Sequence, residues 1–177
     1  MTDLLNSITS RDFTKFMEIS QTLTHEQIKS TITTRSLFYK LFRENLFEWL
    51  DHIPHLYEPD EKTLFLLEID ISYNRTDLIT KHLSELKDIN KVNVGYSGSY
   101  VPVLFIALQR DIECAKKLIE NSHVDVNVVY QDMTPKQYLE QRYKFIASHP
   151  DYDKINNDLK LKNILEYNIM MNIISSR

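Results

Sequence analysis

The sequence predicts an all-α chain, in which about four and a half helix pairs stack as one domain over residues 1–177, with short extended loops and a closing helix at 151–177. Three observations carry this. Val92-Asn93-Val94 recurs as Val126-Asn127-Val128 and Tyr96 recurs as Tyr130, each 34 residues on, while Pro102 recurs as Pro135 after 33. Polar breaks at Asp12, Asn45, Thr76 and Asp111 fall 33, 31 and 35 residues apart. Between the breaks apolar residues keep helical spacing, as in Ile112, Ala115, Leu118 and Ile119, with Lys116, Lys117 and Glu120 on the other face.

Taken in order, residues 1–60 form a divergent helical part. Leu4, Leu5 and Ile8 precede the break Arg11-Asp12, and Phe13, Phe16 and Met17 follow it. Thr24 and Gln27 then make a capping box, which predicts an extra or shifted helix. Leu37, Phe38, Leu41 and Phe42 precede Arg43-Glu44-Asn45, and the run Leu46 to Leu50 supplies the second helix of that unit.

Residues 61–145 hold the clearest repeats. Thr63 to Leu67 leads to the break Tyr73-Asn74-Arg75, then Asp77, Leu78, Ile79, Leu83 and Leu86; Glu68 and Asp70, alternating with Leu67, Ile69 and Ile71, read as exposed positions or a helix edge. The run Pro102 to Leu108 is too apolar for an exposed helix, and Gln109-Arg110-Asp111 separates it from the next. Val124 to Val128 reads as an extended exit. Thr134, Pro135 and Gln137 then combine a cap, a first-turn proline and a second capping box. Within 151–177, Ile155, Leu159, Leu161, Ile164, Leu165, Ile169, Met170 and Ile173 suit a terminal cap helix, which a solenoid needs to cover its last core layer.

Residues 92–142 resemble an ankyrin repeat and the start of the next. The family's Thr-Pro-Leu-His helix start stands here as Val101-Pro102-Val103-Leu104, its acidic opening of the second helix as Glu113, and its Asp-Val-Asn exit as Asp125-Val126-Asn127. The family's glycines are missing, with Arg110 and Ser122-His123-Val124 in their places. The resemblance implies an ankyrin-repeat solenoid that binds another protein without chemistry, as an adaptor or inhibitor, through first-helix faces and loop tips. It places partner contacts at Tyr96, Ser97, Ser99, Tyr100, Tyr130, Gln131 and Asp132, where tyrosine gives contact area at low entropic cost. Stacking of Tyr96 on Tyr130 from neighbouring repeats is the alternative use of those rings. A small isolated protein of this kind suits a pathogen effector or viral host-interaction factor in the host cytosol. Asp158 to Glu166 faintly resembles the F-box-like tail of some viral ankyrin proteins, without its Leu-Pro start, which implies a ubiquitin-ligase adaptor as the alternative.

Composition narrows the classes. A net charge of -4 opposes nucleic-acid binding, which needs surplus cations. Apolar runs such as Leu64 to Leu67 are too short to span a bilayer, and Met1 to Asp12 lacks the apolar core of a signal peptide. Cys114 is the single cysteine, so no internal disulfide forms, which suits the cytoplasm. His52 and His55 stand near Glu48 and Asp51, but Pro54 breaks the helix that would align them as metal ligands. Cys114 is the one candidate nucleophile, at a position where the family places a buried aliphatic residue. No phosphate loop, Gly-x-Ser-x-Gly elbow or His-Glu-x-x-His motif occurs. The expectation is a monomeric, non-catalytic chain without metal or cofactor.

Overall fold

The computed structural model describes residues 2–31, 34–93, 101–121, 123–148 and 157–177. Among these the chain is all-helical, with ten α-helices and no strand. They are α1 (Thr2–Thr9), α2 (Phe13–Ser20), α3 (His25–Thr31), α4 (Thr34–Arg43), α5 (Glu61–Ser72), α6 (Thr76–Glu85), α7 (Val103–Arg110), α8 (Ile112–Glu120), α9 (Pro135–Ser148) and α10 (Asn157–Ser175). Both expected capping boxes form. Thr24 N–H donates to Gln27 Oε1 at 2.8 Å and Gln27 N–H to Thr24 Oγ1 at 3.3 Å, and Thr134 and Gln137 repeat the same pair of bonds.

Three expected breaks are made the same way without glycine. Arg11, Asn45 and Asn74 hold left-handed backbones, with φ of 56°, 59° and 55°. After each, the next N–H bonds five residues back: Asp12 to Ser7 O, Leu46 to Leu41 O and Arg75 to Asp70 O, at 2.8–2.9 Å. This is the Schellman stop, which satisfies the free carbonyls of a helix end. The fourth break differs, because Asp111 is extended and caps α8 by accepting from the N–H groups of Glu113 and Cys114. Asparagine tolerates the left-handed region, whereas a β-branched residue does not. Asn74→Gly is therefore expected to hold or raise stability, and Asn74→Val to lower it by about 1–2 kcal/mol, as read by urea unfolding.

Two local expectations change. The run Leu46 to Leu50 enters a 3-10 helix over Phe47–His52, followed by another over Pro54–Leu56, instead of an α-helix. Pro54 pushes Ile53 out of helical geometry and restarts the chain at its own first turn, so a full α-helix has no room. Val124 to Val128 forms turns instead of an extended exit, because Asp125 Oδ1 accepts from Asn127 N–H at 2.8 Å and closes a local ring.

Packing follows the chain order. The helices α1, α4, α5, α7 and α9 touch in series, and α6, α8 and α10 touch in series beside them. The helix α5 is covered by α4, α6 and α7, so that its Leu64, Phe65, Leu67, Ile69 and Ile71 are all buried. Glu68 and Asp70 are also buried, not exposed. A buried carboxylate must be paired, and each is: Arg35 Nη2 lies 2.9 Å from Glu68 Oε2, while Arg75 Nη2 lies 2.6 Å from Asp70 Oδ1 and His82 Nδ1 2.5 Å from Asp70 Oδ2. Their partners come from α4, the turn after α5 and α6, so a pattern read along α5 alone cannot find them.

Polar ties join segments about one period apart. Arg11 Nη2 donates to Glu44 O at 3.2 Å, His55 Nε2 lies 3.2 Å from Ser20 O, Lys91 Nζ meets Glu58 Oε2 at 2.8 Å, and Arg142 donates to Leu108 O. The last helix, α10, buries Met170 and Ile174 and packs on α8 and α9. Its opposite side leaves Leu161 and Leu165 65% and 60% exposed, so the covering helix is itself apolar outward.

Candidate functional site

Of the seven expected contact residues, Tyr96, Ser97, Ser99 and Tyr100 lie outside the described residues, as does the expected stacking of Tyr96 on Tyr130. The other three form a tight hairpin. Tyr130 and Met133 exchange backbone bonds at 2.9 and 3.1 Å, and Gln131 and Asp132 between them have φ of 50° and 60°. Two successive left-handed residues mark a type I′ turn, built here without glycine. The turn exposes both side chains.

Tyr130 is half buried. Its ring packs 5.4 Å from that of Phe105, which in turn meets Tyr138 edge-on at 5.7 Å, and its hydroxyl accepts from Gln131 Nε2 at 3.0 Å. The hairpin thus stands on the first turn of α7 and the first turns of α9. Nearby, the Asn93 side chain ties two loops together. Its Oδ1 accepts from Asp125 N–H at 2.8 Å and its Nδ2 donates to His123 O at 3.0 Å, which fastens one loop to the next. Val92 and Val126 fill the space beneath.

Two further concavities were not apparent in the sequence. One, of about 210 Å³, opens between the turn after α7 and the helices α9 and α10, with Arg110, Asp111, Arg142, Lys162 and Glu166 among its lining residues. Tyr143 and Tyr167 stack in its wall with centroids 4.5 Å apart. The other, of about 520 Å³, is a groove between α1 and α4 lined by Leu5, Thr9, Arg35, Tyr39, Lys40 and Arg43. The spacing Arg35, Tyr39, Arg43 was the available signal, since residues four apart share a helix face.

The candidate chemical groups are committed elsewhere. His52 packs edge-on against Phe13 at 5.1 Å, and His55 meets Ser20 O. Cys114 is fully buried. Burial first, and then the charge and hydrogen bonding of Asp111, push its thiol up to about 11. The His82–Asp70 pair lies on the neighbouring α6 and α5, yet no hydrogen bond joins His82 to Cys114 among the described residues.

Comparison with known proteins finds no family model, no curated protein and no solved structure that matches this chain. Among the described residues no helix is long and apolar enough to cross a membrane.

Proposed function

We propose that this chain is a non-catalytic protein-binding module, an ankyrin-like stack that acts as an adaptor or inhibitor in the cytosol. The observation that carries the reading is the serial contact of α1, α4, α5, α7 and α9. It is supported by ties about one period apart, such as Arg11 to Glu44 and Arg142 to Leu108. A row of first helices with loops fastened above it offers an extended surface, and extended surfaces of this kind serve recognition. The binding face runs from Tyr96, Ser97, Ser99 and Tyr100 through Tyr130, Gln131 and Asp132 to the neighbouring first helices.

A cysteine enzyme fits the chain poorly. A helix N-terminus or a nearby cation favours a thiolate, and Cys114 does sit in the first turn of α8, but burial and the carboxylates of Asp111, Asp70 and Glu113 act against it and prevail. With the thiol at about 11, only on the order of one molecule in ten thousand holds a thiolate at pH 7. Native Cys114 is expected to resist iodoacetamide at pH 7 for hours and to react within minutes in denaturant; fast native labelling would revive the enzyme reading. The same shift has a sign for stability. The folded state keeps its proton while the unfolded thiol loses it, so the contribution is full below about pH 9 and is lost towards pH 11, with a slope of at most about 1.4 kcal/mol per pH unit. Cys114→Ala should flatten that slope.

The binding reading is tested by affinity capture, comparing the native chain with a Tyr96→Ala, Tyr100→Ala, Tyr130→Ala variant of matched far-UV circular dichroism. A partner held by the native chain and reduced at least about tenfold by the variant supports the face, since central tyrosines carry about 2 kcal/mol or more. Equal capture would place the face elsewhere, and no capture would contradict the module.

A further inference from the structure

We infer that the groove between α1 and α4 is a docking site for an acidic protein segment. The inference rests on the binding-module reading and gives its partner a chemistry. Arg35, Tyr39 and Arg43 succeed one another along one face of α4, with Lys40 beside them, while Leu5 and Thr9 of α1 form the opposite wall. Among the described residues no acidic side chain lines the groove.

The groove is prepared before any partner arrives. The Arg35 guanidinium is held by buried Glu68 at 2.9 Å and lies 5.4 Å from the centroid of the Tyr39 ring. The Tyr39 ring is itself braced edge-on by Phe65 at 5.0 Å. These groups lose little freedom on binding, which favours affinity. Arg43 is exposed and makes no ion pair among the described residues, and Arg11 stands at the end of α1 with its guanidinium on Glu44 O.

The charge is concentrated against the trend of the chain. The whole sequence has 21 basic and 25 acidic residues. Around this groove stand Arg11, Arg35, Lys40 and Arg43; Lys40 holds Glu44 at 2.9 Å, and Glu68 lies behind Arg35. Lys40, followed by Arg11 and Arg43, keeps the Glu44 carboxyl below its ordinary range. Two of the four cations thus already carry a carboxylate. The remaining excess suits carboxylates spaced along a peptide and falls short of the cation row that a continuous phosphate backbone requires. Leu5 and Tyr39 give an apolar side chain of the same peptide a surface to cover.

The test uses the full chain and fluorescence polarisation with three labelled probes: a short peptide alternating Glu and Leu, its Gln and Leu counterpart, and an oligothymidylate. The expected result is saturable binding of the Glu peptide alone, weakened at least about fivefold between about 0.05 and 0.5 M salt, as screening of exposed charges requires. Arg43→Glu and Thr9→Glu, each an exposed substitution on one wall, should each weaken it at least about tenfold with unchanged circular dichroism, and Arg43→Lys should retain most of it. Equal binding of the Gln peptide, tighter binding of the oligonucleotide, or indifference to Arg43→Glu would overturn the inference. Its failure is distinguishable from failure of the module. A chain that keeps its captured partner with Arg43→Glu but loses it with the tyrosine variant retains the module without this groove, whereas capture of neither partner nor peptide removes both.

Discussion

Asp70→Ala is expected to destabilise the chain by about 3–5 kcal/mol, the range for removing one member of a buried charged cluster. The carboxylate has no exposed surface, and it joins two elements: Arg75 at the turn after α5 and His82 in α6, at 2.6 and 2.5 Å. Its loss leaves His82 buried beside an empty space and removes the charge that fixes the Arg75 guanidinium next to the Asn74 turn. Since a domain holds only about 5–15 kcal/mol in total, the variant should lie near the limit of folding. Urea denaturation measures this, with Glu113→Ala as control. Glu113 is on the surface, so its removal should change stability by no more than about 0.5 kcal/mol. A loss below about 1 kcal/mol for Asp70→Ala would mean that the cluster is solvated and adds no cohesion.

Phe65→Ala is expected to cost a similar about 3–5 kcal/mol, through transfer and cavity terms. The Phe65 ring is buried among four others: Phe38 at 5.6 Å, Tyr39 at 5.0 Å, Phe42 at 6.0 Å and Phe47, stacked, at 5.4 Å. That cluster ties the divergent first third of the chain to α5. In a stack of units each element is held by its neighbours, so the damage should be local. Hydrogen exchange should show α1 to α4 losing protection first while α7 and α8 keep theirs. Uniform loss along the chain would indicate a single cooperative core and oppose a stack.

The legible parts of the fold were those written locally. Thr24 with Gln27 and Thr134 with Gln137 specify their own bonds within three residues, and the breaks at Arg11, Asn45 and Asn74 stand where polar residues interrupt apolar spacing. The burial of Glu68 and Asp70 was not legible, because it depends on Arg35, Arg75 and His82 from other segments. The 3-10 helix at Phe47–His52 carries an apolar pattern that also suits an α-helix, and Pro54 decided between them. At the candidate site, Tyr130, Gln131 and Asp132 were apparent as a projecting turn, but the anchoring of Tyr130 on Phe105 depends on how α7 meets the loop. The groove between α1 and α4 was hidden for the same reason. Its walls lie about one period apart in sequence, and only packing of α1 on α4 brings Thr9 opposite Arg43.

The most direct measurement is hydrogen exchange on the chain with and without its captured partner. Added protection should fall on α1, α4, α5, α7, α9 and the Tyr130–Met133 hairpin, leaving α2, α6 and α8 unchanged. Protection concentrated on α6, α8 and α10, or spread evenly over both rows, would contradict binding through the first-helix face.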